Sequence, residues 1–365
     1  MGFVCGVVGL PNVGKTTIFN ALTSGFAQAS NYPFCTIDPN AGVVDVKDLR
    51  LARVSEIIKP ERIVPTTIEF KDIAGLVKGA SKGEGLGNQF LSYIRDVHAI
   101  VHVVRCFQNP HITHVSGVMN PLKDIDVVNT ELILADLQVL ENRIQKIKKR
   151  VQGGDKHLVR ELKIITKLSD FLNNGNLARS FNFTREDDRD ILKDMKLLTM
   201  KPMVYVANVS EEYIYEEDQH TCKIKERAFS EGNECITLCG KLEAEVAQLT
   251  PYEKEEYEKE LIVGGSGLEQ LVDTGYRILD LITFFTTRSK EVRAWTIKNG
   301  TDAVSAASKI HTDFAQGFIK AEVIHYSDLD RLGSEIAIRE EGFLHIEGKH
   351  YIVQDGDILY FKFRT

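Results

Sequence analysis

No stretch of this chain approaches the ~20 consecutive apolar residues that a membrane helix needs. The longest candidate, VHAIVHVV at 97–104, is interrupted by histidine and reads as a buried strand, so no membrane contact is expected. The first residues, MGFVCGVVGLP, lack the basic start and long apolar core of a signal peptide. Gly2 lacks the downstream Ser or Thr that myristoylation requires. Cysteine is sparse. Cys5, Cys35, Cys106, Cys222, Cys235 and Cys239 show no zinc spacing, and reduced thiols in a cytoplasmic protein are expected. The net charge of −7 is mild and gives the chain as a whole no general affinity for nucleic acid. No period of roughly 20 to 50 residues recurs, which excludes a repeat architecture.

What is present points to two or three domains, since 365 residues exceed one core. The early chain alternates strand and helix: FVCGVVG, then KTTIFNALTSG, then TTIEFKDIAG, then FLSYIRDVHAIVHVVRCF. Such alternation with apolar strands predicts an α/β domain with a parallel sheet. From about Asp124 the period changes. Leu137, Leu140, Ile144, Ile147 and Val151, then Leu158, Leu162, Ile165, Leu168 and Leu172, recur at helical spacing around a GGD break at 153–155. An antiparallel helical hairpin over 126–199 is predicted, inserted into the α/β domain at 1–125 and 200–282. Residues 126–201 hold 15 Lys/Arg against 12 Asp/Glu, a net +3, with KIKKR at 146–150; a solvated helix face is the default reading. A helix is expected from about Gly267 to Ile282. Short strands and one helix over 283–365 predict a small mixed α+β domain.

The strongest motif is GLPNVGKT, Gly9 to Thr16, which fits G-x-x-x-x-G-K-[ST] between a predicted strand and helix. Gly9 and Gly14 allow backbone N–H groups to converge on phosphate oxygens. The following helix aims its positive end at the same anion. Lys15 is expected at the β- and γ-phosphates and Thr16 at Mg²⁺. DIAG, Asp72 to Gly75, adds a strand-end carboxylate for Mg²⁺ and a Gly75 N–H for the γ-phosphate. In the intervening NYPFCTIDPN, Thr36 is the candidate for completing the metal shell. KGASKGEGLGNQF at 78–90 contains four glycines and suits a segment ordered by nucleotide.

Guanine readers of this plan carry N-K-x-D, whose Asp accepts two hydrogen bonds from the base. Here the corresponding strand ends in Asn208, Val209, Ser210 and Glu211. The stacking Lys is lost and the carboxylate is longer. Asn208 is expected to pair with adenine's amine and ring nitrogen. ATP is therefore expected over GTP, which binds more weakly. Leu76 follows D-x-x-G where Ras-type enzymes place a water-orienting Gln. CFQNPHITHV offers His111 and His114 instead; His114 is the preferred candidate.

GLPNVGKTT, NYPFCTIDPN, DIAGLVKGAS, GEGLGNQFL and NVSE together resemble the YchF family, the Obg-like ATPases among translation-factor-related P-loop proteins. The resemblance runs from Met1 to Thr365. It implies a P-loop NTPase domain of Ras-like type, an inserted antiparallel helical hairpin and a C-terminal β-grasp (TGS) domain at 283–365. It implies an ATPase with Asn12, Val13, Gly14, Lys15, Thr16 and Thr17 around the phosphates, Thr16 and Thr36 at magnesium, and Asn208, Val209 and Glu211 facing adenine. Family members use a histidine at the position of His114. Asn12 matches an asparagine that helps bind potassium in some related enzymes, a point left open. The implied partner is the ribosome, taken as the large subunit. RNA contact follows by analogy only, and a monomer is expected. The chain departs from the family in LCGKLE at 238–243, where relatives usually carry small residues before the Glu. Two other readings compete: a nucleotide-gated binding module with negligible turnover, and a GTPase with a divergent motif.

Overall fold

Parallel strand pairing fixes the architecture around the phosphate loop. The computed structural model describes residues 2–25, 40–73, 86–110, 118–150, 155–216, 218–250, 252–254, 256, 266–288 and 290–364. A six-stranded sheet has the order β2-β4-β1-β5-β6-β7. Its strands are β1 Val4–Val8, β2 Ala41–Asp45, β4 Thr67–Asp72, β5 Ala99–Cys106, β6 Met203–Val209 and β7 Glu234–Leu238. β1 runs parallel to both β4 and β5, β5 to β6, and β6 to β7. Helices α1 (Lys15–Gly25), α3 (Leu86–Asp96), α7 (Gln219–Ser230) and α8 (Gly240–Val246) alternate with these strands. All eight residues of β5 and all seven of β6 are buried, as strands covered on both faces must be. The buried strand expected over 97–104 is found two residues later as Ala99–Cys106, with His98 exposed before it and His102 inside it.

The insertion begins with α4, Pro121–Arg150, and returns through α5, Lys156–Asn173. Leu140, Ile147, Ile165, Leu168 and Leu172 are buried in one cluster, with Leu137, Ile144, Leu158 and Leu162 packed against it. These are the residues whose spacing predicted the hairpin; Val151, Gly153 and Gly154 lie outside the described residues. α5 is capped by Asp155, whose side chain accepts from His157 N. The short α6, Glu186–Asp190, and three 3₁₀ turns lead back toward β6. Asp136 of α4 is fully buried and ties down this return. It accepts from Leu198 N and Thr199 N, both at 2.8 Å, and from Thr199 Oγ1 at 2.7 Å.

The C-terminal unit is a second six-stranded sheet of order β11-β10-β12-β8-β9-β3. It comprises β3 Arg62–Val64, β8 Leu281–Arg288, β9 Glu291–Lys298, β10 Phe318–Ile324, β11 His345–Glu347 and β12 Ile358–Phe363. β8 and β9 form a hairpin, and β12 runs parallel to β8. Helix Ala303–Ile310 buries Ala303, Ala306 and Ala307 against Phe284, Phe318 and Phe361, giving a β-grasp core. The helix expected to reach Ile282 instead ends at Ile278. Asp280 adopts φ 53°, which stops the helix and turns the chain into β8. The one helix expected in this unit is broken at His311, whose extended backbone restarts a second turn at Thr312–Gln316.

One segment was not anticipated in this unit. Helix α2, Leu49–Ile58, and strand β3, Arg62–Val64, belong with the C-terminal sheet. β3 pairs parallel with β9, and Leu51 and Val54 bury against Phe285, Val292 and Ile358. Arg50 is held by both Asp48 and Asp355, and Arg53 by Asp330. Residues 43–68, which the sequence reading counted in the nucleotide domain, share their contacts with residues 276–365.

Candidate functional site

The loop between β1 and α1 takes backbone shapes that its glycines permit. Gly9 has φ 154°, Asn12 φ 62° and Gly14 φ 95°. A Cβ at Gly9 would sit 2.5 Å from the Val103 carbonyl oxygen, and one at Gly14 would sit 2.2 Å from Asn208 Nδ2. Both positions therefore exclude any side chain. α1 begins at Lys15, so its unpaired N–H groups and positive end face the loop.

Lys15 is buried, 7% exposed, and arcs back over the loop to donate from Nζ to the Leu10 carbonyl at 2.9 Å. Burial lowers its pKa, opposed by the Asp72 carboxylate. A buried cation with one neutral acceptor is matched to an anion. Thr16 Oγ1 donates to Asp72 Oδ2 at 2.9 Å, while the buried Asp72 Oδ1 has no partner. A hydroxyl and a carboxylate at one point, with a buried oxygen unsatisfied, fit a hard divalent cation whose other ligands are phosphate and water.

From this end a cavity of about 1270 Å³ runs to the ends of β5 and β6. Asn12, Gly14, Lys15, Thr16 and Thr17 line it, together with Asn208, Val209, Glu211 and Tyr215. Val13 is buried at 2% exposure and does not line it. Val209 is also buried, and Glu211 opens a 3₁₀ turn over Glu211–Tyr213.

Asn208 also has a structural role. The sequence reading gave both ends of its amide to adenine. Its Nδ2 donates to the Val13 carbonyl at 2.9 Å, and its Oδ1 accepts from Gly240 N at 2.9 Å. The side chain is 4% exposed and braces the phosphate loop against the loop after β7. Those two bonds take one N–H and one oxygen lone pair of an amide that also lines the cavity. Glu243, in the divergent LCGKLE segment, accepts from Gly267 N at 2.8 Å and so anchors the helix Gly267–Ile278.

Sequence reasoning missed Phe107, Lys241 and Gln248, which also line the cavity. Phe107 was legible in principle, because ligands of open α/β sheets bind beyond the carboxyl ends of strands. Arg105 fixes it, donating from Nε to the Phe107 carbonyl at 3.1 Å with its guanidinium 4.6 Å from the ring centre. Lys241 lies in the LCGKLE segment set apart in the sequence, whereas Gln248 carries no local signal. Thr36, Gly75 and His114 lie outside the described residues, as do Cys35, Leu76 and His111. The five described cysteines are free thiols.

His102 sits in β5, 1% exposed, with Nδ1 unpartnered. Burial, together with Arg179 and Lys15, pushes its pKa down to about 3. It is a neutral core histidine rather than a proton shuttle.

Comparison with known proteins agrees with this geometry. A family model described as 50S ribosome-binding GTPase matches residues 4–135. The model YchF-GTPase_C, described as a protein of unknown function, matches residues 281–364. The ribosome-binding ATPase YchF of Haemophilus influenzae is 51% identical over 365 residues, covering all of both chains. That of Bacillus subtilis is 49% identical over 367 residues, again with full coverage. Among solved structures, the Schizosaccharomyces pombe YchF GTPase superposes with a TM-score of 0.90 at 37% identity, over 99% of this chain and 98% of that one. The loop, the strand order and full-length relatives at about half identity agree: this chain belongs to the YchF family.

Proposed function

We propose that this chain is an Mg²⁺-dependent ATPase that acts as a nucleotide-controlled switch on the ribosome. The observation that carries the reading is the Thr16–Asp72 pair beside the buried Lys15. Lys15 would exchange the Leu10 carbonyl for phosphate oxygens, a stronger, charge-assisted bond. Thr16 and Asp72 would hold the metal, with Thr36 completing its shell. Mg²⁺, when bound, neutralises charge shared by the β- and γ-phosphates. The Gly75 N–H is assigned to the γ-phosphate and His114 to the attacking water, since Leu76 has no group to orient it. Asn12 is the residue from which potassium would be reached; replacing potassium with sodium in the assay reads that role.

The relatives' names divide over the base, two being called ATPases and one a GTPase. Val209 and Glu211 favour adenine. Guanine presents two donors to a short carboxylate in N-K-x-D, and this chain replaces that Asp with Glu and the stacking Lys with Val. A site built for a hydrogen-bond pattern rejects a base that lacks it, and the converse loss of that pattern removes the preference for guanine.

The ribosome enters through the bacterial relatives' name, and the large subunit through the description of the family model over 4–135. RNA contact would fall to the hairpin or the β-grasp unit, and the chain would act as a monomer. The test is ATP hydrolysis by the purified protein with and without ribosomes. Slow Mg²⁺-dependent turnover, stimulated by ribosomes and absent in Lys15→Ala, is expected. Equal turnover by Lys15→Ala would reject the site. Ribosome binding gated by ATP without turnover would replace the enzyme by a binding module.

A further inference from the structure

The C-terminal sheet carries a histidine pair with no part in nucleotide chemistry. His325 follows β10, and its Nδ1 lies 2.8 Å from Asp357 Oδ1. Asp357 is 1% exposed, and its Oδ2 accepts from Tyr351 Oη at 2.7 Å and Gln354 N at 2.9 Å. A carboxylate in this setting only accepts, so the proton belongs on Nδ1 of His325. That leaves Nε2 with a lone pair. Carboxylate–histidine pairs of this kind orient metal-ligating imidazoles.

His345 is the second imidazole. In β11 it pairs with Val323, which also pairs with Leu359 of β12. His325 is two residues beyond Val323, and Asp357 two before Leu359. All three side chains therefore stand on one face, with His325 and His345 diagonal neighbours. Their ring centres are 5.2 Å apart and tilted by 44°. Two imidazoles on one tetrahedral Zn²⁺, with N–Zn near 2.05 Å and ring centres about 1.1 Å beyond each nitrogen, would have centres about 5.2 Å apart. Burial and Asp357 raise the pKa of Tyr351, and Glu347, two residues beyond His345 on the same strand face, adds to that rise.

We propose that His325 and His345 form a surface site for a borderline divalent cation, Zn²⁺ in particular, with Asp357 as the positioning residue. Among the described residues no third protein ligand converges there. Water completes the shell, and affinity is modest, in the submillimolar range. Imidazole selects zinc, copper or nickel over the magnesium of the nucleotide site. Bound metal would tie the β11 edge to β10 and to the start of β12.

The test is Zn²⁺ titration of the full chain in excess Mg²⁺, followed by calorimetry, with Co²⁺ absorption as an independent probe of nitrogen ligands. His345 is exposed, so His345→Ala keeps the fold, checked by circular dichroism. One equivalent is expected to bind the wild type, with affinity falling at least tenfold in His345→Ala and in His325→Gln. Asp357→Asn is expected to weaken binding about tenfold through lost orientation. Unchanged Zn²⁺ affinity in folded His345→Ala, or no submillimolar binding by the wild type, overturns the site.

Discussion

Asn208 donates to the Val13 carbonyl across 2.9 Å and so clamps the phosphate loop from the end of β6. The same amide receives Gly240 N from the loop after β7. Three segments distant in sequence thereby share one side chain. Asn208→Ala leaves a buried N–H and C=O unsatisfied, at roughly 1–3 kcal/mol each. The expected result is at least a tenfold loss of nucleotide affinity together with a lower urea midpoint. Intact affinity in a stable Asn208→Ala protein would contradict the brace.

Thr16 and Asp72 are already joined at 2.9 Å. Thr16→Val removes the hydroxyl but little volume. Affinity for ATP in Mg²⁺ is expected to fall by about 10- to 100-fold. Affinity in EDTA should change little. Equal losses with and without the metal would mean that Thr16 serves the loop rather than the cation.

Asp136 offers a stability test away from the nucleotide. Burial raises its pKa, and three hydrogen bonds from residues 198 and 199 oppose that. The segment it holds leads to Lys201, whose Nζ donates to the Arg95 carbonyl at 3.0 Å and to that of Val97, beside the end of α3. Asp136→Asn keeps the shape but replaces one acceptor with a donor facing a donor. A loss of about 1–3 kcal/mol in urea unfolding is expected. Hydrogen exchange should rise over 197–201 and at the end of α3; a uniform rise would argue against this linkage.

His102 makes stability depend on pH. Its folded pKa, about 3, lies below the ordinary value of 6.5. Below pH 6.5 the unfolded chain takes up a proton that the folded chain refuses, so stability falls as pH falls toward 3. The slope from this group approaches ~1.4 kcal/mol per pH unit. His102→Leu removes that contribution. Denaturation of both proteins between neutral and mildly acidic pH should give a shallower curve for the variant; parallel curves would mean that His102 does not titrate on unfolding.

Much of this was legible because local chemistry demanded it. Gly9, Gly14 and Lys15 stand in one short motif whose spacing is itself the phosphate cradle. The hairpin leucines repeat at the helical period and bury where that period puts them. What escaped depends on tertiary context. The amphipathic α2 and the three-residue β3 are too short to reveal a partner sheet more than two hundred residues downstream. The brace made by Asn208 was not legible, because an amide that can pair with adenine can equally pair with two peptide groups, and only the fold decides. The helix end at Ile278 turned on one residue, Asp280, in a left-handed conformation. Phe107, Lys241 and Gln248 reach the cavity through loops and α8, whose placement no periodicity announces.

The proposed preference for adenine assigns the base to Val209 and Glu211. Val209→Lys with Glu211→Asp restores the guanine pattern, and the double variant is expected to gain at least tenfold in GTP affinity relative to ATP. No gain would place the discrimination elsewhere in the cavity, with Phe107 or Lys241 next to be tested.

The most direct measurement is equilibrium competition between ATP and GTP for a fluorescent ATP analogue on the wild-type chain, with and without Mg²⁺, alongside Lys15→Ala. Displacement by ATP at lower concentration than GTP, dependent on Mg²⁺ and lost in Lys15→Ala, is predicted. Tighter displacement by GTP, or analogue binding indifferent to both Mg²⁺ and Lys15, would contradict the account.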